Sequence, residues 1–132
     1  MNLLLDTHIW IWNHLAPWKI SSEVNGTLAA SENELWLSPV SIWELVVLVE
    51  KKRVELDKNL HDWVEQSKRE LMLREVPLTW EVASELRFTI LKQRDPVDRF
   101  LVATARIYDF TLVTADENLV NVPGLNVLQN RC

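Results

Sequence analysis

The sequence contains very little glycine. Only Gly26 and Gly124 occur among its 132 residues, and they lie far apart. A Walker loop and the dinucleotide-binding turn GxGxxG each need several glycines close together. Both motifs are therefore excluded, and any phosphate chemistry in this protein must use side chains and metal rather than a glycine-rich cradle.

Cysteine and long apolar runs are also scarce. The single cysteine is the last residue, Cys132, which excludes an internal disulfide and a cysteine-based metal site. The apolar run LVVLV at 45–49 is far too short to span a bilayer, and the run in MNLLLD is too brief for a signal peptide. We therefore expect a cytoplasmic protein with no membrane partner.

Positive charge is the minority sign. The chain has 14 lysines and arginines against 19 aspartates and glutamates, a formal net charge of −5. This balance argues against a general nucleic-acid-binding surface, which relies on basic residues. Four of the acids are candidates for one site, however, and their neutralisation would leave a nearly neutral remainder on which a local basic rim could still form.

The order of the predicted elements indicates an α/β protein. The sequence predicts one domain over residues 1–132, without linker or repeat. Strands are predicted at 2–5, 35–37, 75–76, 111–114 and 126–128, and helices at 7–15, 21–30, 39–52, 60–73, 79–92 and 96–108. Such alternation is typical of a mainly parallel sheet of about five short strands with helices on both faces.

Four carboxylates follow the predicted strands or lie in the opening turns of the next helices. They are Asp6, Glu44, Asp98 and Asp116. The carboxyl ends of parallel strands form the edge of a sheet where ligands bind. Four converging acids repel one another unless a cation neutralises them, and oxygen ligands without histidine or cysteine suit Mg²⁺ or Mn²⁺.

Helix capping is the alternative explanation for three of these acids. Asp6 can cap the helix that follows it, and Asp116 lies in a capping arrangement with Thr114 as cap and Glu117 three residues later. Asp98 lies in a first helical turn behind Asp95, where a carboxylate favours the helix dipole. Glu44 is different, because the helix from 42 to 49 has no other charged residue. A carboxylate there needs a metal or a partner such as Arg99, unless it lies at the rim.

Other ionisable residues have simpler interpretations. His8, His14 and His61 lack ligand spacing, and we interpret them as ordinary helix residues, with His8 expected away from the rim. Arg94 and Arg99 bracket the acidic motif RDPVDR and are our candidates for holding an RNA phosphate.

Together, four segments resemble the PIN-domain ribonucleases, and most of all the VapC-type toxins of bacterial toxin–antitoxin modules. The segments are LLLDTHIWIW, SPVSIWELVVLVEKKR, RDPVDRFLVATA and TLVTADENL. The resemblance implies a PIN-like three-layer α/β/α sandwich. It also implies a Mg²⁺- or Mn²⁺-dependent endoribonuclease that hydrolyses RNA with metal-activated water, leaving 5′-phosphate and 3′-hydroxyl ends.

The resemblance also assigns roles to residues and implies partners. Asp6, Glu44, Asp98 and Asp116 match the acidic tetrad of the family, which would be both catalytic and metal-binding. Three further residues match supporting positions: Ser41, Asp95 and Thr114. An antitoxin protein, an RNA substrate and a homodimer are the implied partners. This chain departs from the subgroup at Gln93 and Val97, where histidine and an aromatic residue are usual.

Two other functions fit parts of the pattern. A non-cleaving PIN-like module that binds RNA or protein would share the fold, and an assay with metal separates the two. A phospho-acceptor receiver domain is also α/β with an acidic pocket, but it needs paired acids after the first strand and a lysine after a later one. Asp6 stands alone, and no lysine follows the strands at 111–114 or 126–128.

Overall fold

The computed structural model describes residues 1–91 and 95–131 as alternating strands and helices. The strands are Asn2–Leu5 (β1), Glu34–Leu37 (β2), Arg74–Glu75 (β3), Thr111–Thr114 (β4) and Asn126–Gln129 (β5). The α-helices are Thr7–Leu15 (α1), Ser22–Ala29 (α2), Pro39–Glu50 (α3), Leu60–Leu71 (α4), Trp80–Glu85 (α5) and Pro96–Tyr108 (α6). Short 3-10 turns lie at Pro17–Lys19, Leu86–Phe88 and Glu117–Leu119.

The five strands form one sheet in which every pairing is parallel. Their order is β3-β2-β1-β4-β5, with β1 at the centre. Leu4 pairs with Trp36 on one side and with Leu112 on the other. From β1 the chain adds β2 and β3 on one side of the sheet and then β4 and β5 on the other. The topological switch point therefore lies between β1 and β4. Open α/β sheets bind ligands at the carboxyl ends of such strands.

Helices cover both faces of the sheet. Leu3 and Leu5 of β1 pack in one apolar cluster with residues of α1 to α4, whereas Leu4 packs in another with residues of α6. All three leucines are fully buried, and each contributes about 1.5–3 kcal/mol by burial. Burial on both faces explains why β1 is an unbroken apolar run rather than an alternating one. The predicted three-layer α/β/α architecture is therefore confirmed.

A buried polar contact joins α1 to α4. The Nε1 of Trp10 donates to the hydroxyl of Ser67 at 2.8 Å, and the Nε2 of His14 lies 2.6 Å from the same oxygen. The ring of Trp63 packs edge-on against both Trp10 and His14. Burial lowers the pKa of His14, and the nearby Glu70 acts in the opposite direction. This contact fixes α1, which begins directly after Asp6.

The helix predicted at 79–92 is much shorter in the structure. Thr79 caps it as its hydroxyl accepts from the backbone N–H of Val82, but α5 ends at Glu85. Ile90 lies within the predicted helix, where it would share a face with Leu86, but it is 88% exposed. The reason lies outside the segment: Arg99 donates to the carbonyls of Leu86 and Thr89, which satisfies them without a continuing helix. The predicted last residue, Lys92, lies outside the described residues.

The other predicted elements are confirmed to within two residues at each end. Ser38, Asp95 and the prolines that follow them start α3 and α6, and each capping side chain accepts from a backbone N–H. Within residues 1–91 and 95–131, no helix combines the length and apolar character needed to cross a bilayer.

Candidate active site

Asp6 lies buried at the carboxyl end of β1. It occupies the N-cap position of α1, yet its side chain makes no capping hydrogen bond. Instead, its Oδ2 accepts from the hydroxyl of Thr114 at 2.6 Å. Burial raises the pKa of Asp6, and the bond from Thr114 partly offsets that rise. Helix capping alone therefore does not explain Asp6.

Asp116 follows β4, next to Asp6 across the switch point. Its Oδ1 accepts from the backbone N–H of Asn118 at 2.9 Å, so it caps the 3-10 turn that follows. The sequence favours Thr114 as that cap with Glu117 as its partner, but in the structure Asp116 itself is the cap. Its own backbone N–H donates to the Thr114 hydroxyl at 3.0 Å. Thr114 thus contacts two of the four acids.

Glu44 lies on α3, one turn after the buried Ser41. The hydroxyl of Thr7 donates to that of Ser41 at 2.8 Å and so ties the start of α1 to α3. Burial raises the pKa of Glu44, and the neighbouring Thr7 hydroxyl acts against that rise. The position of Glu44 is therefore half-buried beside other polar groups and not on a solvated face.

Arg99 does not neutralise Glu44, the alternative that the sequence left open. Its guanidinium is partly buried and donates to the carbonyl oxygens of Leu86 at 2.8 Å and Thr89 at 3.1 Å. These bonds give Arg99 a structural role, and they do not support its assignment to RNA phosphate. The other arginine candidate, Arg94, lies outside the described residues, as does Gln93.

Asp95 and Asp98 begin α6 and have different roles. The Oδ1 of Asp95 accepts from the backbone N–H of Val97 at 2.9 Å, as a helix cap does. Asp98 is half-buried, and its pKa is raised to about 7. Burial is the largest cause, and the remaining causes are the charges of four other carboxylates: Asp6, Asp95, Asp116 and Glu44. All four acids predicted from the sequence therefore lie close enough for the charges of three of them to raise the pKa of Asp98.

These acids are neighbours without forming a finished ligand set. Across the described ranges, no three His, Cys, Asp or Glu side chains are arranged so that they could hold a metal ion. The donor chemistry nevertheless fits a hard divalent ion, because every acid at this edge offers carboxylate oxygen and Ser41 and Thr114 add hydroxyls. The concentrated negative charge favours a cation here.

His8 also belongs to this neighbourhood, although the sequence analysis expected it away from the rim. It is exposed on α1 and lies close enough to Asp6 and Glu44 to lower the pKa of both. That expectation was wrong. The available signal was spacing, because a residue two positions after a strand-end acid lies in the first helical turn, beside that acid.

Asn130 is a second residue that the sequence analysis missed. It is buried just after β5, and its backbone N–H donates to the carbonyl of Thr114 at 2.7 Å. Its side chain accepts from the backbone N–H of Ser21 and donates to the carbonyl of Lys19, both at 2.8 Å. No local pattern marks this residue, because the partners of its side chain lie more than 100 positions away.

Comparison with known proteins identifies the class. The PIN domain family profile matches residues 3–125, and the chain belongs to that family. The resemblance to its VapC-type members is also confirmed. Ribonuclease VapC22 of Mycobacterium tuberculosis (strain ATCC 25618 / H37Rv) is 30% identical over 118 residues, which cover 89% of this chain and 88% of the relative.

Solved structures agree with this assignment. VapBC2 from Rickettsia felis, bound to a DNA fragment from its promoter, matches with a TM-score of 0.70 at 19% identity, over 99% of this chain and 100% of that one. FitAcB from Neisseria gonorrhoeae matches with a TM-score of 0.68 at 25% identity, over 96% of each chain. The PIN fold is therefore confirmed from both sequence and structure.

Proposed function

We propose that this protein is a Mg²⁺- or Mn²⁺-dependent endoribonuclease and the toxin of a toxin–antitoxin pair. One observation carries the proposal: the charges of Asp6, Glu44 and Asp116 all raise the pKa of Asp98, at the switch-point edge of a PIN-fold sheet. Family membership and the similarity to a protein named a ribonuclease support the choice of RNA as substrate.

In this proposal Asp6 and Asp98 would hold the ion directly, and Glu44 and Asp116 would hold it through water or hold a second ion. A bound ion would supply activated water near neutral pH and balance the charge that develops on the phosphate. Because the carboxylates do not form a complete ligand set, their side chains would have to move to hold the ion. Asp98 would have to be ionised to serve as a ligand, so its raised pKa predicts that metal binding releases protons.

The remaining groups hold these acids in place. Thr114 orients Asp6 by donating to its Oδ2, and it fixes the backbone of Asp116. The Thr7–Ser41 bond keeps α1 against α3, which sets the separation of Asp6 from Glu44. The buried scaffold thereby limits the movement needed for metal binding to the carboxylate side chains.

An antitoxin and a second copy of the chain are the proposed protein partners. A groove of about 410 Å³ lies at the carboxyl ends of β2 and β3, lined by apolar residues that include Ile42, Trp43, Val46 and Leu73. Trp43 is 57% exposed although it precedes Glu44 directly. The groove offers an antitoxin segment a largely apolar surface at the β3 side of the sheet, as large exposed aromatic residues often do at interfaces.

Cleavage of RNA with added Mg²⁺ or Mn²⁺, followed by mapping of the new 5′ ends, tests the function. Asp6→Asn and Asp98→Asn should abolish cleavage while the fold is retained, because the isosteric amide preserves shape and removes the charge. Asp57→Asn alters an exposed acid and serves as the control. On α3, Glu44→Gln should lose most activity, and Glu50→Gln at its exposed end should not.

Two results would reject this function. One is full cleavage by both Asp6→Asn and Asp98→Asn. The other is that no RNA is cut by the correctly folded protein with either ion, which would favour a non-cleaving module that binds RNA or protein.

A further inference from the structure

Three side chains form a row that leads away from the acidic edge along α1 and the turn after it. The ring of His8 lies 5.9 Å from that of Trp12, centroid to centroid, at an angle of 57°. The ammonium of Lys19 lies over the same indole, 5.1 Å from its centroid. Because His8 and Trp12 are four residues apart on a helix, they share one face.

The row begins at the candidate active site. His8 lies in the first turn of α1 and is separated from Asp6 by a single residue. His8 and Lys19 are exposed, whereas Trp12 is half-buried and packs against the core cluster under β1. The indole is therefore a fixed support against which both exposed side chains lie.

Lys19 is tied to the same edge of the sheet by its backbone. Asn130 donates from its side chain to the carbonyl of Lys19 and from its backbone to the carbonyl of Thr114. Thr114 in turn donates to Asp6. Two hydrogen-bonding residues thus connect the lysine to the central carboxylate, although these residues are remote in sequence.

A basic group in this row has an electrostatic use. The chain carries a net charge of −5 and gathers acids at one edge, so a polyanion approaching that edge is repelled. Proteins that hold single-stranded nucleic acid combine basic groups along the backbone with aromatic faces on which bases stack. Lys19 supplies the basic group, and His8 and Trp12 supply aromatic faces, in a row that begins directly after Asp6 and Thr7.

We propose that His8, Trp12 and Lys19 form a track that holds single-stranded RNA next to the scissile phosphate. Lys19 contacts a backbone phosphate, and a base stacks on His8 and the open part of the indole. The inference rests on the proposed function for the identity of the strand as RNA. Asn130 is a positioning residue, because it holds the backbone of Lys19 and touches no substrate.

The test measures binding of a fluorescein-labelled oligouridylate by fluorescence anisotropy over a range of salt concentrations. The Asp98→Asn protein is the background, so that the probe stays intact. Lys19→Gln should weaken binding and reduce the slope of log K against log salt by about 0.7, the value for one lost contact on a single strand. Lys19→Arg should restore both, and Lys51→Gln, an exposed lysine at the end of α3, is the charge-matched control.

The aromatic part has its own variants. His8→Ala should reduce affinity about tenfold, within the range for one stacked base, and His8→Phe should keep most of it. If Trp12→Leu fails to fold, Trp12→Phe takes its place, because it keeps an aromatic ring in the core packing. Trp80→Leu, at a 93% exposed tryptophan, is the control.

The outcomes separate the track from the nuclease. If Lys19→Gln binds the probe with unchanged affinity and salt slope, the track is refuted, whether or not the wild-type protein cuts RNA. If Lys19→Gln loses affinity as stated while the wild-type protein cuts no RNA with either ion, the track stands and the nuclease assignment fails. Weaker binding that Lys51→Gln reproduces equally would indicate general attraction and also refute the track.

Discussion

The hydroxyl of Thr114 donates to the Oδ2 of Asp6 across 2.6 Å, although 108 positions separate the two residues in the chain. The bond joins the ends of β1 and β4 at the switch point of the sheet. The same hydroxyl oxygen accepts from the backbone N–H of Asp116. One fully buried side chain therefore sets the positions of two acids that lie on different elements.

Replacement of this hydroxyl should impair activity more than folding. Thr114→Val keeps the branched shape but removes both bonds, so the pKa of Asp6 should rise further and its carboxylate should lose orientation. We expect about 10- to 100-fold lower activity at a fixed Mn²⁺ concentration, as for other groups that orient metal ligands. Cleavage rates measured across a Mn²⁺ titration check this.

Thr111→Val is the matched control, because it makes the same change at the other end of β4. Equal activity of Thr114→Val and the wild-type protein at every Mn²⁺ concentration would show that the Asp6 bond has no part in the reaction.

Asp98 should destabilise the metal-free protein at neutral and higher pH. Its pKa is raised from 3.8 to about 7, so the folded state holds a proton that the unfolded state releases. The stability that this proton provides is present below pH 4 and is lost as the pH rises through about 7. Asp98→Asn should therefore increase the free energy of unfolding at pH 8 and change it little at pH 4.

The expected gain is about 1–2 kcal/mol, below the ~4 kcal/mol of the full shift, because solvent screens a half-buried carboxylate. Urea denaturation in EDTA measures it. Asp62→Asn, an exposed acid in the first turn of α4, is the control and should be neutral or slightly destabilising. Added Mn²⁺ should raise the Tm of the wild-type protein more than that of Asp98→Asn. If the wild-type protein is more stable than Asp98→Asn at pH 8 in EDTA, this account of Asp98 is contradicted.

His14 should make the fold sensitive to mild acid. Its pKa is lowered from 6.5 by burial, so the folded state favours the neutral ring that contacts Ser67. A lowered pKa means that this stability is present above pH 6.5 and is lost as the pH falls through the folded-state value. Relative to His14→Gln, the wild-type protein should lose stability between pH 7 and pH 5.

Thermal unfolding of both proteins at a series of pH values measures the difference. The hydrogen bond itself is worth about 1 kcal/mol, so His14→Gln should be less stable by roughly that amount at pH 8. His61→Gln, an exposed histidine on α4, should match the wild-type protein throughout. Parallel pH profiles for the wild-type protein and His14→Gln would show that the α1–α4 contact does not titrate.

Most elements were predictable because their signals are local. Capping residues with a following proline start α3 and α6, and the unbroken apolar run of β1 marks a strand buried on both faces. The prediction of a helix over 79–92 was wrong because the deciding contact is not local. Its apolar spacing predicts a long helix, but Arg99, from the next helix, takes the carbonyls of Leu86 and Thr89.

The candidate site was likewise only partly predictable from local signals. The sequence placed Asp6, Glu44, Asp98 and Asp116 at one edge, since carboxyl ends of parallel strands face the same direction. It could not distinguish Asp116, whose side chain caps a turn, from Asp6, whose side chain makes no capping hydrogen bond. Asp6 instead accepts from Thr114 at the end of β4, and only the strand order places β4 next to β1.

The sequence by itself determined the α/β class, the strands and helices, and the set of acids at the carboxyl edge, because periodicity, capping and strand ends are properties of neighbouring residues. Only the tertiary structure decided which acid is buried, that Thr114 holds Asp6, and that Asn130 ties Lys19 to the acids. These contacts follow from the strand order and from packing between segments more than 100 positions apart, and no local pattern encodes them.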